Sequence, residues 1–124
     1  MMDLVIEVPN SPGALAKVAA AISDAGVNIS AATCTPSSEN AQLHILVPHA
    51  EAARHALAIS NLAVTAEREV AVVEVQDTPG VLADLARKVA EAGINIDLVY
   101  VATRNRVVFG AADLPRLKEV LGLA

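Results

Sequence analysis

The chain has 124 residues, an apolar fraction of 54% and a net charge of −5, which suits one or two small domains with a buried core and excludes a disordered chain. Its nine basic residues are scattered and its only aromatics are Tyr100 and Phe109, a composition that argues against a nucleic-acid partner. A single Cys34 excludes an intrachain disulfide framework and a multi-cysteine metal site, and with neither a basic leader nor a membrane-length apolar run a cytoplasmic protein without a membrane partner is expected.

A first strand is predicted over Asp3 to Val8, stopped at Pro9. After Pro9-Asn10-Ser11-Pro12-Gly13, a helix carries Leu15, Val18, Ala19 and Ile22 at the spacing of one buried face, and Gly26 ends it. Val27-Asn28-Ile29 leads into a second strand through Ala31, Thr33 and Thr35. Pro36 to Asn40 reads as a loop, and Gln42 to Val47 as a third strand. A short helix over Ala50 to Ser60 follows, with Ala53, Ala56 and Leu57 on one side, broken by Asn61. The chain is then extended from Leu62 to the charged Glu67-Arg68-Glu69, the expected boundary between a first domain (1–68) and a second (69–124).

The second half repeats the first. An offset of 67 residues, that between Gly13 and Gly80, also maps Glu7 onto Glu74, Leu15 onto Leu82, Gly26 onto Gly93, Asn28 onto Asn95 and Ile29 onto Ile96. Register held over that length marks a tandem repeat. In the second copy Val70 to Val75 is a strand, and Leu82, Leu85, Ala86 and Val89 form the helix face. Leu98, Tyr100 and Ala102 continue a strand that turns at Arg104-Asn105; Arg106 to Gly110 is the next, and Asp113 caps a last helix. Gly122-Leu123-Ala124 leaves no room for a fourth strand. Each unit therefore reads β-α-β-β-α-β, an α+β, ferredoxin-like arrangement with antiparallel sheets and helices on one face, the second repeat lacking its last strand. Adjacent Val72 and Val73 make both sheet faces apolar, so the sheets are expected to join within the chain and again between chains, a homodimer being the simplest closure.

The duplicated strand-to-helix turn carries the candidate chemistry. Ser11 and Thr78 stand where an N-cap belongs, with Pro12 and Pro79 at the first helical position. Gly13 and Gly80 follow. A glycine there lets another group approach the free N–H groups of the first turn, whose positive partial charge suits a carboxylate. Asn10 or Asp77 would then accept from an ammonium group, and an α-amino acid would be held at both ends. The competing reading is that Pro-Gly only makes a tight corner, which common turn usage favours.

The turns Asn10-Ser11-Pro12-Gly13-Ala14-Leu15 and Asp77-Thr78-Pro79-Gly80-Val81-Leu82, each followed by a helix ending Ala-Gly-Val/Ile-Asn-Ile, resemble the signature of the ACT domain family over nearly the whole chain. The resemblance implies small regulatory modules that pair through their sheets and bind amino acids at an interface, between this turn and the start of a neighbour's second strand. It implicates Asn10, Pro12, Gly13, Ala14 and Leu15 with Asn28 and Ile29, and Asp77, Pro79, Gly80, Val81 and Leu82 with Asn95 and Ile96. It implies no cofactor. Two features depart from common family members: no catalytic or DNA-binding domain is attached, and the second unit is shorter.

Other candidates are weaker. His44, His49 and His55 lack metal-ligand spacing, and Cys34 reads as a small buried hydrophobe. Glu7 and Glu74 could meet an ammonium group or lie solvated at strand ends. Tyr100 and Phe109 read as core or dimer contacts. With no nucleophile–base set or phosphate loop, the expectation is a non-enzymatic regulatory module that binds a small or apolar amino acid and acts on a partner enzyme of amino-acid metabolism. The alternative is a constitutive interaction subunit with no ligand of its own.

Overall fold

A computed structural model describes residues 1–123; Ala124 of the expected second domain lies outside the described residues. Its internal contacts divide it into two units, Met1–Arg68 and Glu69–Ala124. The first runs β1 (Met2–Pro9), α1 (Ala14–Asp24), β2 (Ala31–Ser37), β3 (Asn40–Val47), α2 (Ala50–Ile59) and β4 (Val64–Glu69). The second runs β5 (Ala71–Glu74), α3 (Val81–Glu91), β6 (Leu98–Ala102), β7 (Arg106–Gly110) and α4 (Leu114–Val120).

The first sheet has the order β2-β3-β1-β4 and the second β5-β7-β6. The position that β4 takes beside β1 therefore has no counterpart beside β5 among the described residues, so the second repeat lacks its last strand. Alternation along the strands decides what meets the helices. Leu4, Ile6 and Val8 of β1 and Leu43, Ile45 and Val47 of β3 pack with Val18 and Ile22 of α1 and Ala53 and Leu57 of α2. In the second unit Ala71, Val73, Val107 and Phe109 pack with Val89 of α3 and Leu117 of α4. Phe109 is thus a core residue.

All four helices end alike. The N–H of Gly26 donates to Ser23 O and that of Val27 to Ile22 O; Gly93 and Ile94, Asn61 and Leu62, and Gly122 and Leu123 repeat the pattern. Each is a Schellman closure, with Gly26, Asn61, Gly93 and Gly122 in the left-handed region it demands. Asp113 Oδ1 accepts from Arg116 N at 3.2 Å, capping α4 as expected.

Several expectations change. Pro36 and Ser37 belong to β2 and Asn40 to β3, because Ser38, at φ +60°, lets two residues close the hairpin. Pro36 is tolerated since β2 is an edge strand, where one side needs no donor. Leu15 and Leu82 leave the expected buried faces: both are exposed, at 54% and 47%. The helices begin at Ala14 and Val81, so both leucines fall in the first turn, and the rest of each expected face, Val18 and Ile22 in α1 and Leu85 and Val89 in α3, meets the core. Cys34 is exposed rather than buried. It pairs with Leu43 from β2, the edge strand of the sheet.

Candidate functional site

The helix starts differ from the capping expected of Ser11 and Thr78. α1 begins at Ala14 with Gly13 as its N-cap, α3 at Val81 with Gly80, and neither start has a side-chain cap. Gly13 holds φ +88°, ψ −8° and Gly80 φ +91°, ψ −13°. Those values are the third position of a type II turn, with Pro12 and Pro79 at the second, where their fixed φ belongs. Ala14 N donates to Ser11 O at 3.4 Å and Val81 N to Thr78 O at 3.5 Å, long closures of the same turn. A Cβ on either glycine would meet nothing within 4 Å. Glycine is therefore demanded by a positive φ that an L side chain resists, and not by the close approach of another part of the chain.

Beyond the turn, Lys17 N bonds Gly13 O and Asp84 N bonds Gly80 O. Helix geometry leaves the N–H groups of Leu15 and Ala16, and of Leu82 and Ala83, without an intrahelical acceptor. No acidic side chain lies in the first turn of α1, whereas Asp84 lies in that of α3 and pairs with Arg87 at 3.3 Å.

The turns border different clefts. Beside the first is a depression of about 280 Å³ lined by Pro12, Gly13, Ala14, Lys17 and Leu62, among others. Beside the second, a cleft of about 220 Å³ runs between the start of α3 and the β6–β7 hairpin, with Asp77, Val81, Leu82, Val101, Arg106 and Val107 on its walls. Asp77 makes no side-chain hydrogen bond or ion pair among the described residues. Arg106 is held by its turn: Nε donates to Thr103 O at 2.8 Å and Nη2 to Thr103 Oγ1 at 3.2 Å.

The candidate residues do not gather into one place within a unit. Asn28 and Asn95 are exposed, in the connection before β2 and β6 rather than in those strands, while Ile29 and Ile96 pack on the cores. Asn95 borders a separate cleft of about 210 Å³ with Asp97, Asp113 and Arg116. The reason is topological. The turn stands at one end of α3 and Asn95 beyond the other, and 11 residues of helix span about 16 Å, too far for one amino acid. Asn10, Leu15, Pro79 and Gly80 lie at the turns but on neither cleft wall. Glu7 accepts from Asn40 Nδ2 at 2.7 Å, and Glu74 lies opposite Arg106 in the β5–β7 ladder.

Val101, Asn105, Arg106 and Val107 are cleft residues that the turn motif does not point to. Hairpin length was the available signal. The pair Thr35–Gln42 encloses six residues and the equivalent pair Ala102–Arg106 three. Among the described residues no group of three or more His, Cys, Asp or Glu side chains could hold a metal ion, and no helix is long and apolar enough to cross a membrane.

Comparison with known proteins follows the repeat. A family model described as ACT domain matches the chain twice, over residues 2–59 and 70–121. No curated protein matches by sequence. Among solved structures, a protein from Bacteroides thetaiotaomicron superimposes with a TM-score of 0.86 at 25% identity, covering 98% of this chain and 85% of that one. The ligand-free regulatory subunit of aspartate kinase from Thermus thermophilus follows with a TM-score of 0.72 and 22% identity over 98% and 87% of the two chains. The regulatory subunit of aspartate kinase from Thermus flavus gives 0.67 and 20% over 98% and 90%.

Proposed function

The chain belongs to the ACT domain family, and from that premise we propose that it is a regulatory protein that binds a small amino acid at its Pro-Gly turns. The observation that carries this reading is the pair of turns in the same left-handed glycine conformation, each presenting free first-turn N–H groups beside a cleft. A carboxylate is matched to those donors and to the positive end of the helix.

The protein regulates rather than catalyses. Its partner is an enzyme of amino-acid metabolism, a reading supported by the likeness in fold to regulatory subunits of aspartate kinase. The separation of turn and Asn95 within a unit supports a homodimer or domain pairing in which Asn28, Ile29, Asn95 and Ile96 of one module complete the site at the turn of another. Residues 1–68 and 69–124 act as its two modules.

The alternative, a constitutive interaction subunit, draws on the glycine geometry: a type II turn needs Gly13 and Gly80 whether or not a ligand binds. A thermal-shift screen against the proteinogenic amino acids separates the two, since a ligand that binds only the native state raises the melting temperature. A reproducible, stereospecific shift from one or two amino acids upholds the ligand. No shift from any of them leaves the interaction subunit.

A further inference from the structure

The outward faces of α1 and α3 differ although the helices are repeats of each other. At the 67-residue offset, Arg87 and Lys88 of α3 stand where α1 has Ala20 and Ala21. Arg87 and Lys88 are exposed and Arg87 pairs with Asp84, as suits a face that water covers. The same face of α1 has lost that charge. Beside it, between α1 and α2, runs a groove of about 330 Å³ lined by Ala21, Asp24, Ala25, His55, Ala56 and Ile59, among others. Ile59 borders it with 69% of its surface exposed. A single exposed isoleucine is ordinary, but one beside an alanine-lined groove on a face without solvating charges has the character of a contact surface.

The polar members of the groove are unsatisfied by the chain itself. Asp24 and His55 make no side-chain hydrogen bond or ion pair among the described residues. Asp24 also lies in the last turn of α1, at the negative end of the helix, and α1 has no basic residue there, whereas α3 has Lys88 and α4 has Lys118. A carboxylate in that place calls for a donor that its own helix does not supply.

These features match one another in pairs. Ile59 is a projection and the floor of Ala21, Ala25 and Ala56 a hollow; Asp24 is an acceptor and a ring N–H of His55 a donor. A surface that carries both halves of each match fits a copy of itself across a two-fold axis, where residue i meets j and j meets i. A partner of different sequence would require only one half of each. We propose that this groove is an interface between two copies of the chain, in which Ile59 of each copy fills the alanine-floored groove of the other and His55 of each donates to Asp24 of the other. It is separate from any pairing through the sheets, because its residues lie on α1, at the end of α1, or on α2.

Analytical ultracentrifugation of the full chain tests it. With rising concentration the wild type is expected to reach twice the mass of Ala21→Lys, which gives α1 the residue that α3 carries at the same point of the repeat. Ile59→Lys, at a position that water already reaches, is expected to weaken the association about tenfold or more, the effect of losing a central apolar anchor. Melting curves check that both variants are folded. Pairing through the sheets leaves the twofold ratio of masses unchanged. The contact across the axis has its own test in Asp24→Arg and His55→Glu. The first sets a donor against a donor and the second an acid against an acid, so each alone is expected to fall to the mass of Ala21→Lys. Mixed in equal amounts, they set the introduced base against the introduced acid and keep one native pair, and the doubled mass is expected to return. Equal masses for the wild type, Ala21→Lys and Ile59→Lys overturn the proposal and leave the groove to a protein of different sequence. A doubled mass that survives Asp24→Arg alone, or a mixture that fails to associate, overturns the two-fold arrangement.

Discussion

Gly13 and Gly80 stand at the same point of their repeats in nearly the same backbone conformation, with φ +88° and +91°. Each is the hinge between a strand of the core and the first turn of a helix. Gly80→Ala and Gly13→Ala are each expected to lower stability by about 1 kcal/mol, the left-handed penalty partly offset by a stiffer unfolded chain. Urea denaturation reads the difference. Because a Cβ there has open space, a loss of several kcal/mol would mean that the turn is held by something other than its φ.

His44 Nδ1 lies 2.9 Å from Asp3 Oδ2, and the two side chains differ in burial, 20% exposed against 0%. Removing the histidine takes a hydrogen-bond partner from a fully buried carboxylate, whereas removing the acid leaves an imidazole that water can still reach. His44→Ala is therefore expected to cost about 2–3 kcal/mol and Asp3→Ala about 1–2 kcal/mol. Equal costs, or the reverse order in denaturant titrations, would contradict this assignment.

Lys118 Nζ donates to Glu69 Oε1 at 2.7 Å. That hydrogen bond, aided by the ammonium charge, holds the Glu69 carboxyl below its ordinary value. A lowered folded-state value means that stability from the pair is complete above the unfolded glutamate pKa and is lost as pH falls through the folded one. Melting temperatures of the wild type and Lys118→Gln should differ most near neutral pH and converge in acid. Both groups are solvent-accessible, so added salt should shrink the difference too.

Asn61, at φ +57°, closes α2 where the other three helices use glycine. Asn61→Gly is expected to stabilise by about 0.5 kcal/mol and Asn61→Ala to destabilise by about 1 kcal/mol. Thermal unfolding of the two variants gives the sign directly, and a stabilising alanine would show that the Schellman closure is not the constraint.

Leu82 projects from the first turn of α3 with 47% of its surface exposed. Leu82→Ser, on the wall of the cleft at the second turn, should leave stability within about 0.5 kcal/mol and reduce the thermal shift produced by an amino acid bound at that turn. Unfolding by this variant would instead place Leu82 in the core.

The repeat, the order of elements and the helix ends are legible in the residues, because they follow from local rules: alternation at period two, apolar spacing at 3.6, and glycine or asparagine where φ must be positive. The duplicated Pro-Gly turn marks two equivalent places in the chain for the same reason. Tertiary structure decides what those rules cannot reach. Leu15 and Leu82 have the spacing of buried residues, yet lie exposed because each stands in the first turn of its helix, while the later members of the same face, Val18 and Ile22 or Leu85 and Val89, meet the core. Cys34 is apolar in type but sits exposed on an edge strand. The clefts at the two turns differ because hairpins of unequal length fold back to different distances, bringing Glu39 to Asn10 in one repeat and leaving Asp77 uncovered in the other. Spacing along a chain specifies which way a residue faces on its own element; which surface comes to meet it depends on the lengths of the segments between elements.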